Sequence, residues 1–302
     1  MDNQQHTICM KLELNKEDYE AIKNLEVKCY EEQKTDLKLE LDFKMRQSKN
    51  SIKNKIMTEF FYYENNTLVG YLGLSNFSKD TVEVSGMVHP KFRRKGIFKK
   101  LYVIAKEEWQ RICPSEVLVL CDHISISGLA FINSIGAEYA SSEYKMCLNK
   151  ETLESTSTDT HANGIKLRSA TSEDAAEIDM QNSIYFGLIQ EETDEKESIE
   201  KKFIRADDIA ATYMAELNGE IIGKIRIDIT DNEGFIYGFG VLPDFRGRGY
   251  GRETLKCSLD ILKNKDVDKI FLEVATENKN ALGLYESCGF EEISVMDYYV
   301  VA

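Results

Sequence analysis

Between residues 211 and 241, three strand-length runs rich in apolar and β-branched or aromatic residues are broken at Asn218-Gly219 and at Asp231-Asn232-Glu233-Gly234. Such turn residues accept the positive φ angles of tight hairpins, so the pattern predicts strands over 211–217, 221–229 and 235–241 joined as a meander. Past 251 the spacing becomes that of an amphipathic helix, 251–264. An apolar strand over 270–274, a second helix over 278–287 and a last strand over 294–300 follow. Upstream, a strand over 165–168 leads into Thr171-Ser172-Glu173-Asp174, an N-cap-like cluster that opens the first of two helical stretches. A meander followed by β-α-β makes a mixed, mostly antiparallel sheet flanked by helices, an α/β fold.

The pattern occurs twice. Residues 87–98 (MVHPKFRRKGIF) align with 240–251 (GVLPDFRGRGYG) at an offset of 153, which also carries Gly70 onto Gly223 and Gly136 onto Gly289. One register shared by three separated segments marks a duplication. The polar, Ser/Thr-rich, aperiodic stretch 151–164 reads as a linker between a first domain over 1–150 and a second over 165–302. Either half of a 302-residue chain is long enough to bury its own core.

With 42% hydrophobic residues, 30% charged and 3 prolines, the chain is neither disordered nor fibrous in character. Its apolar runs fall short of the roughly 20 residues a membrane helix needs, and its first residues lack a signal-peptide layout. A cytoplasmic protein without a membrane partner is expected. Seven scattered cysteines without a Cys-x-x-Cys pair and four isolated histidines predict no metal site. Charge is uneven: residues 1–150 hold 22 Lys+Arg against 21 Asp+Glu and residues 151–302 hold 16 against 31, so the halves stand at +1 and −15. That field disfavours nucleic acid and favours cationic ligands such as a protonated amine, although it serves solubility equally well.

Strand 235–241 runs through Leu242-Pro243-Asp244-Phe245 into Arg246-Gly247-Arg248-Gly249-Tyr250-Gly251, where a helix starts. Glycines let a pyrophosphate approach the backbone, a helix start offers unpaired N–H groups, and arginines add charge. The absence of Gly-Lys-Ser/Thr sets aside a P-loop, and a loop placed after the fourth strand, not the first, sets aside a Rossmann fold. Arg246-x-x-Gly249-x-Gly251 resembles the acyl-CoA loop of the GNAT superfamily of N-acetyltransferases. The resemblance implies two tandem GNAT-type domains and acetyl-CoA as acyl donor. It further implies that the amides of Arg246 to Gly251 hold the pyrophosphate. The pantetheine arm would enter where the fourth and fifth strands splay, against the backbone of Val241 or Leu242.

A second signature reads Asn278-x-x-Ala281-x-x-Leu284-Tyr285-x-x-x-Gly289-Phe290. Helical spacing places Ala281, Leu284, Tyr285 and Cys288 on one face, and Gly289 ends the helix. By the same resemblance Tyr285 protonates the departing CoA thiolate and Asn278 helps anchor the cofactor. Amine acylation also needs a neutral nucleophile and a polarised carbonyl. Glu273, twelve residues before Tyr285, matches the base of the ribosomal-protein alanine N-acetyltransferase branch, which this segment resembles. A purely structural Glu273 is the equal alternative, with Tyr237, Asp228, Glu233 or a water relay as other routes for the proton. The expected reaction is transfer of an acetyl group to a primary amine of a small molecule or protein N-terminus. A non-enzymatic acyl-CoA-binding regulator or scaffold is the rival reading. Acceptor selection falls to residues 185–205, which include the acidic stretch 191–195, and to 29–55 in the first copy.

The offset turns Gly251 into Phe98, Tyr285 into Ile132, Glu273 into Leu120 and Asn278 into Ser125. Acid and candidate base are both lost from the first copy, while Gly96 and the basic run Lys91, Arg93, Arg94, Lys95, Lys99 and Lys100 remain. The first domain is therefore expected to be non-catalytic. Two copies with the second active resemble the arrangement of mycothiol synthases.

Overall fold

A computed structural model describes residues 6–47, 56–75, 81–155, 164–186 and 211–301. The first copy runs β1 (His6–Lys11), α1 (Lys16–Gln33), α2 (Leu41–Gln47), β2 (Glu59–Glu64), β3 (Thr67–Ser75), β4 (Thr81–Val88), a 3-10 turn (Pro90–Phe92), α3 (Ile97–Gln110), β5 (Glu116–Asp122), α4 (Ile126–Ile135) and β6 (Glu138–Asn149). After α5 (Lys150–Ser155), the second runs β7 (Ile165–Ser169), α6 (Ala175–Phe186), β8 (Thr212–Leu217), β9 (Glu220–Thr230), β10 (Glu233–Val241), a 3-10 turn (Pro243–Phe245), α7 (Tyr250–Lys263), β11 (Lys269–Ala275), α8 (Lys279–Glu286) and β12 (Glu291–Val300). Adding 153 to the bounds of the first 3-10 turn, α3 and β5 reproduces those of the second turn, α7 and β11. The second helical stretch expected in the second copy, with residues 191–195, lies outside the described residues.

The turns form for the reasons their residues suggest. Asn218 and Gly219 take φ values of 53° and 86°, and Asp231 and Asn232 take 50° and 64°. Both central residues of each turn are left-handed, the geometry whose twist matches that of the strands it joins. The expected four-residue turn thereby shortens to two, and Glu233 and Gly234 open β10.

Contacts divide the chain into one unit of Met1–Glu143 with Ser294–Ala302 and another of Tyr144–Ile293. This differs from the boundaries at 150 and 165 read from sequence. In the first unit β5 lies between β4, parallel, and β12, antiparallel, with Met296 opposite Asp122 and Val300 opposite Leu118. In the second, β11 is flanked by β6. The last strands of the two copies are exchanged. Duplication makes β6 and β12 equivalent in position and pattern, so either satisfies the same sheet edge and a linear reading cannot distinguish them. Asp297 of β12 is 3% exposed, accepts from Ser142 Oγ at 2.5 Å and bonds His123 Nδ1 at 2.8 Å, while Lys38 Nζ donates to Tyr298 Oη at 2.9 Å. The expected linker also departs from its reading: α5 buries Leu153 in the second unit's core. One apolar residue in six carries no periodicity to read.

Each unit packs helices on both faces of its strands. Alternation along β2 sends Phe60 and Tyr62 into the cluster with Leu101 of α3, and Phe61 into the cluster with Ile22 and Leu25 of α1. In the second unit Ile225 and Ile227 of β9, with Leu272 and Val274 of β11, pack on Leu255, Leu259 and Leu262 of α7. Burial of each such leucine contributes about 1.5–3 kcal/mol, enough to hold the N-terminus of α7 firmly against the sheet.

Candidate active site

The Arg/Gly loop is shaped by its own residues. Pro243 starts the 3-10 turn, Arg246 Nε donates back to the Val241 carbonyl at 2.8 Å, and Gly247 and Gly249 adopt φ values of 73° and 83°. Gly249 is the N-cap of α7 and no side chain caps that helix, so its first N–H groups remain directed at the loop's concavity. Nothing lies within 4 Å of where a Gly247 Cβ would stand. Tyr250 contributes only its backbone there, because its ring packs beside Phe245 at 6.4 Å in a small core cluster. The glycines, the uncapped helix start and the adjoining arginines fit a pyrophosphate.

The parallel ladder of β10 and β11 runs from Glu233 opposite Lys269 to Ile236 opposite Leu272 and stops, although the strands continue to Val241 and Ala275. Here β10 also slips against β9: Tyr237 faces Arg226 and Gly240 faces Lys224, so β10 carries one residue more than β9. Gly238, at φ 52°, absorbs this bulge. Around the opening stand groups from three elements. A Cβ at Gly251 would meet Leu284 and Val241 at 3.7 Å and Phe239 at 3.9 Å, and the Phe239 ring lies 6.3 Å from that of Tyr285. Tyr285 is 7% exposed, and burial pushes its pKa up to about 12.

The other face of the strands carries the candidate bases. Ile270, Leu272 and Val274 turn into the core, so alternation puts Phe271 and Glu273 opposite, where Phe271 stacks on Phe235 at 5.5 Å and Phe235 on Tyr237 at 6.2 Å. Glu273 is exposed. Asp228 accepts from Arg226 Nη2 at 2.8 Å. Glu233 begins β10, about 13 Å along the strand from Tyr237 at 3.3 Å per residue, and is removed from the opening. Asn278 caps α8, its Oδ1 accepting from the Ala281 N–H at 3.2 Å. Among the described residues, no group of three His, Cys, Asp or Glu could hold a metal ion, and no helix is long and apolar enough to cross a membrane.

The profile of the acetyltransferase (GNAT) family matches this chain twice, over residues 19–111 and 176–290, well over half its length. The chain belongs to the GNAT family. It is a tandem member. An N-alpha-acetyltransferase of Sulfurisphaera tokodaii is 28% identical over 103 residues, 30% of this chain and 62% of that protein. A mycothiol acetyltransferase of Beutenbergia cavernae is 36% identical over 83 residues, 27% of this chain and 28% of that protein. Both matches span less than two thirds of the relative's length. A tandem GNAT protein from the clavulanic acid biosynthesis pathway shares the fold with a TM-score of 0.69 at 14% identity, covering 98% of each chain.

The two GNAT copies diverge at the opening. In the first, β4 and β5 also part, after Val84 opposite Val119, and Arg93 Nε again braces the loop through the Val88 carbonyl at 3.1 Å. Phe98, however, stands where Gly251 leaves room, edge-on to Phe131 at 4.7 Å, and Phe131 is in turn 5.2 Å from Tyr102. On the opposite face Lys44 Nζ, Glu59 and Tyr71 Oη bond one another in a buried cluster. No bulge interrupts the ladder of β3 and β4. Two residues that sequence alone does not mark at the second site are Lys224, 3% exposed, and Gly238. A lysine within Ile221-Ile222-Gly223-Lys224-Ile225 reads as the solvent-facing step of an alternating strand. Only its contact with α6 reveals its burial.

Proposed function

We propose that the second copy transfers an acetyl group from acetyl-CoA to a primary amine, of a small molecule or a protein N-terminus, by direct attack of the amine. Acetyl-CoA supplies the acetyl group as an activated thioester. The loop amides from Arg246 to Gly251 bind its pyrophosphate, and the backbone of Val241 and Leu242 lines the path of the pantetheine arm. Asn278, through its cap, fixes the start of the helix that carries Tyr285. Tyr285 is a phenol protonated at physiological pH, its pKa raised further by burial, and it donates that proton to the departing thiolate. Glu273, on the opposite face of the same opening, takes the proton from the incoming ammonium.

The convergence of Tyr285, Phe239, Val241 and Gly251 where β10 leaves β11 carries this reading. The acceptor class draws support from the N-alpha-acetyltransferase relative and from the −15 charge of the second half. The first copy is non-catalytic: aromatic rings fill its cofactor side, and the Lys44, Glu59 and Tyr71 cluster occupies the other face.

Thiol release from acetyl-CoA across an amine and peptide panel tests the assignment. Tyr285→Phe is expected to lower kcat about a hundredfold or more, with acetyl-CoA affinity within a few-fold of the parent. Full activity in that variant, with product release shown to be fast, removes Tyr285 as the acid. Binding of CoA with no turnover on any amine favours the regulator reading.

A further inference from the structure

Lys224 is a buried cation on the face of β9 opposite α7. Its Nζ donates to the Gly238 carbonyl at 2.9 Å and sits 5.4 Å from the centre of the Tyr185 ring, which α6 holds through Tyr185 Oη donating to Gln181 at 2.9 Å. The Tyr185 ring lies directly on the bulge, for a Cβ at Gly240 would stand 2.4 Å from it. Gly238 and Phe239 are the two residues that fall outside the β9 ladder. A carbonyl that reaches a side chain on the α6 face has turned out of the sheet plane. Because the peptide is planar and trans, the Phe239 N–H is turned toward the other face, where Tyr285 lies. The first copy supplies the internal contrast: Tyr71 stands in place of Lys224, bonded to Glu59, and the ladder from Gly70 opposite Val88 to Ser75 opposite Glu83 runs without a slip.

We propose that Lys224 is a positioning residue that holds the Gly238 carbonyl, fixes the bulge of β10, and so sets the backbone amides of Phe239 to Val241 against the thioester carbonyl. This deepens the acetyl-transfer reading and rests on it. The lysine does not touch the reacting atoms; it determines where the amides that polarise them stand. The ammonium and the neutral amine both donate to the carbonyl, so the brace persists in either protonation state.

The test uses the full chain with CoA and with acetyl-CoA carrying carbon-13 at the thioester carbonyl. Calorimetry reads the two affinities, and isotope-edited infrared spectroscopy reads the polarisation of the bound carbonyl. In the parent protein the carbonyl band is expected to move to lower frequency on binding. In Lys224→Met the band returns toward its free position and the preference for acetyl-CoA over CoA falls about tenfold, the loss expected for one hydrogen bond, while CoA affinity itself stays within about threefold. Lys224→Arg, which keeps a donor, is expected to recover at least half of the band shift. A merely structural lysine would move both affinities together. If Lys224→Met loses CoA affinity as well, Gly238→Ala decides, since its Cβ would stand 3.3 Å from Lys224 Nζ and disturb the bulge with the cation still present. Loss of the band shift in that variant supports the proposal. An unshifted carbonyl band in the parent, or a band in both Lys224→Met and Gly238→Ala identical to the parent's, overturns it. Failure of the parent to bind either CoA or acetyl-CoA instead overturns the acetyl-transfer reading beneath it.

Discussion

Burial acts in opposite directions on two ionisable side chains of the second unit. Burial, with Arg226 adding to it, lowers the Lys224 pKa to about 8, whereas burial raises that of Tyr285 to about 12. The unfolded value for the lysine is 10.5, so between about 8 and 10.5 the unfolded chain binds more protons than the folded one, and this contribution to stability rises with pH. Scanning calorimetry should therefore show the second unit of the parent gaining on Lys224→Met as pH rises from 7.5 to 10, by at most about 3 kcal/mol. A difference independent of pH would place the lysine pKa outside that window. For Tyr285 the sign is reversed: the phenol holds its proton up to pH near 12, so it should set no alkaline limb in the kcat profile below pH about 11. Tyr285 was legible as a motif residue, and its face of the helix was legible from spacing. The environment of Lys224 was not, since an isolated lysine in an alternating strand carries no sign of what covers it.

At the level of elements, the loop and the helix it opens act as one piece. Gly251 stands in the first turn of α7 with 3.7 Å or more to its nearest neighbours, so an alanine fits. Gly251→Ala should raise stability by about 0.5–1 kcal/mol through helix propensity and leave CoA affinity nearly unchanged, as thermal melts and calorimetry would report. Gly251→Phe installs the residue that the first copy carries at Phe98. The fold already accepts that side chain there, so the variant should fold and yet lose CoA affinity by more than about tenfold, or 1.4 kcal/mol. Retained affinity would show that the loop alone, without the space beside it, binds the ligand. The strand-loop-helix order and the two-residue hairpins were readable because turn residues and period are local properties. The bulge was not: β10 carries Gly238 in Tyr237-Gly238-Phe239-Gly240, but only pairing with β9 shows that one residue is in excess.

At the scale of the molecule, exchange of β6 and β12 makes the end of the chain part of the first unit. Deleting residues 294–302 removes the antiparallel partner of β5 together with the Asp297 bonds to His123 and Ser142. Hydrogen exchange should then show loss of amide protection over 116–122, and the first unit should melt at least about 5 °C lower, given that 1 kcal/mol moves a domain of this size by a few degrees. Unchanged protection at β5 would mean that β12 contributes nothing to it. Asp297→Ala should reproduce a part of the effect, about 1–3 kcal/mol, by taking from the buried Ser142 hydroxyl its carboxylate acceptor.

By itself the sequence determined the α/β fold, its duplication at an offset of 153, the Arg/Gly loop between strand and helix and the signature around Tyr285, because hydrophobic period, turn chemistry and motif spacing are all written along the chain. The tertiary structure decided which of two equivalent strands closes each unit, which face each candidate base occupies, and that Lys224 and Tyr185 bear on the bulge of β10. Those features depend on pairing and packing between segments far apart in sequence. Duplication makes the competing partners locally indistinguishable, so only the assembled sheet selects between them.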